Sequence, residues 1–277
     1  MGELTRRKSE RGFALLVVLW SLVLITLVTT QIMASGRTAL ALATNVRNAA
    51  ATRACADGAI HEAVFNLIAT GPAHWSAGGA PHVLDRCGMT VRVRISSLAG
   101  LINPNLASTA LLAGLLQAAG AAPSQAQQLA LAIIAWRSPA VSKDVARALL
   151  AGYQRAGLAY GPPAQPFSDM SELADVAGMP PALLAKAMPH MSLFQSGDPD
   201  PAIADPMVRQ ALALSGQAGT NSNVYEGTPP VVSISAQAEG PGQIAIRRDA
   251  IISIAGSNGP APFQLLSLTD GDTASAD

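Results

Sequence analysis

Five side chains between positions 55 and 87 are of the types that bind metals or exchange disulfides: Cys55, His61, His74, His82 and Cys87. Thiolate and imidazole are the ligands of tetrahedral zinc, and structural zinc sites bring them in close pairs a few residues apart. Here the cysteines stand at opposite ends of the segment, His61 lies in a helical pattern, and His74 and His82 lie in a stretch punctuated by glycine and proline. That spacing fits no common zinc site, so no metal ligands are assigned. The cysteine pair has two readings. One is a disulfide closing a loop of about 30 residues, worth roughly 3 kcal/mol in the loop-entropy picture and stable in an oxidising compartment. The other is two free thiols packed as small apolar side chains. No G-x-S-x-G, P-loop, G-x-G-x-x-G or H-E-x-x-H pattern occurs, so no catalytic residues are assigned and the chain reads as a non-enzyme.

The elements around these residues are better defined than the chemistry. Residues 13–28 carry no charge, with Ser21 and Thr26 the only polar members, and the apolar stretch continues to Ala34. As a helix it crosses a hydrocarbon layer of roughly 30 Å. Arg6, Arg7, Lys8 and Arg11 directly precede it, which predicts a cytoplasmic N-terminus. After it the pattern stays helical and free of proline to Thr70, with Ile60, Val64, Leu67 and Ile68 on one face, and stops at Gly71-Pro72. One helix over 13–69 is predicted, lipid-facing in its first half and amphipathic in its second. A secretory signal peptide needs a small-x-small site after the apolar run, and the residues around Ala34 fit one poorly.

The 277 residues carry 18 basic and 18 acidic side chains and no net charge. With four of the basic ones in the first twelve positions, the remainder is slightly acidic, and nucleic acid is not among the expected partners. The helix–glycine–helix pattern at 173–188 has Asp169, Glu172, Asp175 and Lys186 near it, which is the wrong charge for phosphate.

Thr90–Ile95 alternates, with Val91, Val93 and Ile95 on one face, and predicts a strand against the long helix. From Gly100 to about 215 the texture is helical. A turn at Asn103-Pro104-Asn105 precedes a leucine-faced helix over 108–119. A second helix follows, capped by Ser124, and a third over 145–157. Asp169 and Glu172 make a capping box, Pro180-Pro181 opens a short helix, and Asp205-Pro206 opens the last one, closed by Gly216. Residues 215–230 read as a flexible loop. Strand-like runs then recur at 231–236, 243–247, 250–254 and 263–267, with turns at Gly240-Pro241-Gly242 and Asn258-Gly259.

The sequence resembles two linked patterns. Basic residues, then Gly12-Phe13, then an unbroken apolar run feeding a long helix resemble a type IV prepilin. The resemblance implies cleavage by a prepilin peptidase between Gly12 and Phe13 and N-methylation of Phe13. Most pilins and pseudopilins carry glutamate at the fifth mature position, where it pairs with the amine of the subunit ahead. This chain has Val17 there. A carboxylate without a partner in hydrocarbon is costly, and the apolar residue is typical of the K-type minor pseudopilin of the type II secretion system. Gly100–Asn105 with its leucine-rich helix, Ala132–Arg137, and Phe167–Leu173 with Val176, Gly178 and Met179 resemble that family in order and spacing.

The resemblance implies an α+β fold, a long membrane-spanning helix packed on a small antiparallel sheet with a large helical insertion. The expected division is a leader over 1–12, a transmembrane part over 13–34, periplasmic helix and first strand over 35–99, the inserted helical domain over 100–215, the remaining strands over 216–268 and a tail over 269–277. The expected role is a cap at the tip of the periplasmic pseudopilus that helps start its assembly. The implied location is the inner membrane, with the bulk of the chain periplasmic. The implied partners are the I- and J-type minor pseudopilins, the major pseudopilin, the prepilin peptidase, the assembly platform, the secretin, cargo and the lipid bilayer. Family members bind calcium, but Ala135 and Ser138 stand where the family has aspartates, so no calcium ligands are assigned. A signal-anchored periplasmic binding module or hydrolase is the competing reading, and cleavage after Gly12 separates the two.

Overall fold

The computed structural model describes residues 6–78, 80–139, 142–216, 230–254 and 261–271, with the side chains of 6–12 and 34–35 outside the description. Its first element is α1, Arg6–Ile68, a single helix of 63 residues, about 95 Å at 1.5 Å per residue. The alanine-rich, proline-free sequence sustains it. It begins inside the basic segment rather than at residue 13, and it ends before Gly71, whose φ of 93° lets the chain turn away. Residues 13–33 are exposed throughout. Burial begins at Thr52 and recurs at Cys55, Ala56, Ala59, Ile60, Ala63 and Val64, one face of the helix.

That face packs on a five-stranded antiparallel sheet in sequence order: β1 His82–Arg86, β2 Met89–Ser97, β3 Val231–Gly240, β4 Ile244–Ile254 and β5 Phe263–Gly271. Val91, Val93 and Ile95 meet the helix as expected, joined by Val232, Ile234, Ala236, Ala238, Ala250 and Ile252. The small side chains let helix and sheet approach closely. At Gly240 a Cβ would lie 1.9 Å from the Thr52 hydroxyl oxygen.

Sheet details differ from expectation in three ways. His82 is not in a loop but opens β1, an element the alternation at 90–95 did not announce. The runs at 243–247 and 250–254 are one strand, β4, because Arg248 between them faces the helix and is paired there. The last strand continues to Gly271, past the 268 boundary and into the expected tail. The loop at 217–229, the Asn258-Gly259 turn and residues 272–277 lie outside the described residues.

Between β2 and β3 sits a helical insert with its own core of Leu111, Leu112, Leu115, Ile133, Leu173 and Val208, all nearly inaccessible. It comprises α2 Thr109–Ala118, α3 Pro123–Arg137, α4 Lys143–Arg155, a 3-10 helix at Met170–Asp175, α5 Pro181–Ala187, a 3-10 turn at Met188–His190 and α6 Pro206–Leu214. Ser108, Ser142 and Asp205 cap their helices through side-chain oxygens. Ser124 does not cap α3. Pro123 takes the first helical position, Ala122 the cap, and no side chain completes it. The capping box of Asp169 and Glu172 forms with both bonds present, opening a 3-10 rather than an α-helix.

The register fixes where the insert leaves the sheet. Thr90 pairs with Glu239, next to Gly240, which lies on Thr52 early in the buried face of α1. Ser97 pairs with Val232 at the opposite end of the sheet. At that end Gly78 donates to the Ile95 carbonyl at 2.9 Å and Trp75 to that of Asn66 at 3.0 Å, near the last turn of α1. The insert therefore starts and ends at the end of the β2–β3 pair furthest from the apolar half of α1.

Candidate functional site

Three constellations carry the sequence-predicted residues. The first is the apolar half of α1. Phe13, Leu16, Val17, Trp20, Ser21 and Leu24 line one shallow groove on it, and Val17 is exposed. The few polar side chains bond their own helix. The Ser21 hydroxyl donates to the Val17 carbonyl at 2.8 Å, and Thr26, Thr29 and Thr30 donate to carbonyls one turn back at 2.7–3.0 Å. A helix with its hydroxyls so satisfied exposes almost no unpaired donor to an apolar surrounding. It is long and apolar enough to cross a membrane. Gly12 lies within α1 nearly two turns from its start, beside Phe13.

The second constellation is a polar latch within the insert, built from the motif residues 100–105, 132–137 and 167–173. Asn103 is buried, and its amide donates to the Leu193 and Gln195 carbonyls at 3.0 and 2.6 Å. The Asn105 side chain exchanges bonds with the Phe167 backbone, donating at 2.9 Å and accepting at 2.8 Å. From α3, Arg137 reaches back to the Pro104 carbonyl and, at 2.8 Å, to that of Ala107. Burial lowers the Arg137 pKa, since desolvation disfavours its charge. Beside it Trp136 stacks on Phe167 with centroids 6.0 Å apart, and Tyr153 and Tyr160 complete the aromatic group. Three segments distant in sequence are thus tied by side chains that satisfy irregular backbone, the usual means by which a buried loop avoids orphaned carbonyls. These motif residues fold the insert, and their arrangement offers no nucleophile–base pair.

A carboxylate at each end of the latch is held ionised. Hydrogen bonds from Ser168 and from the Ser168 and Asp169 amides, against partial burial, keep Glu172 below the ordinary glutamate range. At Asp205 burial acts upward, but the His190 ring 2.6 Å away and the Met207 and Val208 amides bring the net shift below the ordinary range. Neither His190 nor this pairing was singled out in the sequence. The Asp205-Pro206 signal pointed to a cap alone, and the histidine arrives from a separate 3-10 turn.

The third constellation lies where α1 first meets the sheet. The Arg248 guanidinium, largely buried, sits 2.7 Å from both Asp57 on α1 and Asp270 on β5, and Arg53 also pairs with Asp270. A buried cation needs such partners. On the other side of α1, Arg86 makes a two-pronged bridge to Glu62 at 2.9 and 2.7 Å. Here too are the two cysteines. Cys55 and Cys87 are free thiols, Cys55 buried and Cys87 exposed, so the expectation of two packed apolar thiols fails for Cys87. The Cys55 thiol donates to the Arg86 carbonyl at 3.2 Å. Burial, with a hydrogen bond to the Cys87 thiol, pushes the Cys55 thiol up to about 11. The three histidines of the segment are dispersed: His61 on the Asp57 carbonyl, His74 on that of Ala69, His82 stacked on Trp75 at 3.8 Å.

The implied calcium does not fit the described residues. No group of three or more carboxylate, histidine or cysteine side chains is close enough to hold a metal ion among them. The Asp169 and Glu172 carboxylates near the latch already serve the backbone amides and hydroxyls around them.

Two comparisons with known proteins match. Residues 93–196 match the family described as type II secretion system, protein K. The matched span runs from β2 through the latch. The fold is similar to that of a chain in the crystal structure of the GspK-GspI-GspJ complex from the type 2 secretion system of enterotoxigenic Escherichia coli. The TM-score is 0.58 and the identity 14%, over 83% of this chain and 98% of that one. No curated protein matches the sequence.

Proposed function

We propose that this chain, by its 93–196 segment a K-type minor pseudopilin of the type II secretion system, caps the tip of the periplasmic pseudopilus and helps start its assembly. One observation carries the reading. The insert is anchored at the end of the β2–β3 pair furthest from the apolar half of α1, so its bulk extends the end of the molecule away from the membrane segment. Subunits of a pilus stack with their apolar helices in a bundle. A subunit whose far end is widened in this way leaves no seat for another above it. Val17 supports the same position, because a subunit with nothing ahead has no amine to neutralise a carboxylate there.

In this reading a prepilin peptidase cuts between Gly12 and Phe13 and Phe13 is methylated. The basic segment holds the N-terminus in the cytoplasm of an inner membrane, and α1 joins the I- and J-type helices by close packing. The similar Escherichia coli chain was crystallised in a GspK-GspI-GspJ complex. The major pseudopilin, the assembly platform, the secretin and cargo are the further partners, and no catalysis is proposed. A photocrosslinking map from α1 and from the exposed surface of the insert tests the position. Crosslinks below the insert to I- and J-type subunits, with none from the insert to any pseudopilin, are expected. A pseudopilin crosslinked above the insert would refute the cap.

A further inference from the structure

We propose that Cys55 and Cys87 form a redox site, a disulfide lock between α1 and the β1–β2 hairpin at the membrane-proximal corner of the body. Three independent observations point to it. The only two cysteines in the chain, far apart in sequence, are brought together, with Cys55 Sγ 3.2 Å from the carbonyl of the residue preceding Cys87. The hairpin turn is itself unusual. Arg86 pairs with Met89, so Cys87 and Gly88 are its two central residues, with φ of 57° and 70°. Such a turn needs positive φ at both positions and favours asparagine, aspartate or glycine at the first. A cysteine there sits in a backbone region that its type rarely adopts, and it lacks the side-chain oxygen with which asparagine or aspartate would bond the turn. Its thiol instead lies within hydrogen-bonding reach of the buried thiol of Cys55. Finally, the accessibilities are those of an entry thiol and a resolving thiol: Cys87 is exposed and Cys55 is 2% exposed.

The chemistry is thiol–disulfide exchange with a small or protein disulfide as oxidant. The exposed Cys87 thiolate attacks one sulfur of that disulfide, and the other sulfur leaves as a thiol, taking up a proton. The Cys55 thiol gives up its proton and attacks Cys87 Sγ, breaking the mixed disulfide and releasing the second thiol of the oxidant. Two protein thiols lose two electrons and two protons, and one disulfide becomes two thiols. Burial that holds the Cys55 proton makes the second step the slow one, so closure accelerates with rising pH. The bond would cross the first contact between α1 and the sheet, next to Thr52 and Gly240. A pull on the apolar end of α1 would then load a covalent bond before it could peel the helix from the sheet.

Oxidation in the cell rests on the periplasmic placement proposed above; the site itself does not, and the test separates them. The reduced full-length protein in detergent is exposed to oxidised glutathione, then acid-quenched, unfolded in denaturant and labelled with N-ethylmaleimide. Intact mass and a non-reducing digest follow. The expected product lacks two hydrogens, carries no label and yields a Cys55–Cys87 peptide, while Cys87→Ser leaves Cys55 labelled only after unfolding. Cys55→Ser should trap glutathione on Cys87. Glutathione retained on Cys87 of the unaltered protein with Cys55 still labelled, or dimers through Cys87, would overturn the site. Alkylation before lysis reads the compartment alone: closure in detergent with reduced thiols in the cell would keep the site and contradict the periplasmic placement.

Discussion

The body and the insert of this molecule are stabilised by different means. In the body, α1 meets the sheet through a seam of alanine, valine and isoleucine with Gly240 against Thr52, and its charged groups flank that seam: Arg248 between Asp57 and Asp270, Arg86 on Glu62. In the insert, a leucine-rich core fills the space and charged and amide groups reach into the fold to satisfy loop carbonyls. The seam is sensitive to added volume, and the filled core is sensitive to lost volume. In the body consecutive strands pair, and only the β2–β3 pairing spans the insert, while in the insert α2 packs on both its neighbour α3 and the sequence-distant α6. The family match begins at β2 and covers most of the insert, so what distinguishes this chain from a plain helix-on-sheet subunit lies in the part with the filled core.

The largest predicted effect is Leu115→Ala, which opens a cavity in the insert at a cost of about 2–5 kcal/mol. Hydrogen exchange should accelerate across α2, α3 and α6 while β3 and β4 keep their protection. Equal loss in both regions would mean the two cores do not act separately. Next comes Asn103→Ala, which leaves the Leu193 and Gln195 carbonyls unpaired and should cost about 2–3 kcal/mol in thermal or denaturant unfolding. Gly240→Ala is the matching probe of the seam. Its Cβ would collide with Thr52, a loss of about 1–3 kcal/mol, and Thr52→Ala in the same chain should recover most of it. A double variant no better than the single would show that the seam is not volume-limited.

Acid sharpens the contrast further. Glu172 and Asp205 are held below their ordinary range in the folded insert, so their contribution is present above the unfolded-chain values near pH 4 and lost as pH falls through the lower folded values. The insert should loosen on acidification, and Glu172→Gln should flatten that dependence. The smallest effect is expected for Glu62→Gln. The Arg86 bridge it weakens is exposed enough that the unfolding midpoint should stay within measurement scatter.

Much of this architecture was legible in the residues. The helical stops at Gly71 and Gly216, the helix start at Asp205-Pro206 and the alternation of Val91, Val93 and Ile95 are local signals, and each is found where it was read. The turn at Cys87-Gly88 was missed because cysteine is not a turn-former. The signal was the glycine two residues from β1, between two short apolar runs. Arg248 and Asp249 concealed the continuity of β4, since a charged pair in mid-strand reads as a break until its partners on α1 and β5 are known. The latch was visible as a motif but not as a device. Asn103, Arg137 and Phe167 meet only through tertiary packing, which periodicity does not encode.

The most direct test of the account is the N-terminus of the mature protein. The chain is co-expressed with a prepilin peptidase, extracted from membranes and measured by intact mass and N-terminal sequencing. Loss of residues 1–12 with a methyl group on Phe13 is the predicted result. An intact N-terminus, or a cut near Ala34, would contradict the pseudopilin pathway and with it the cap.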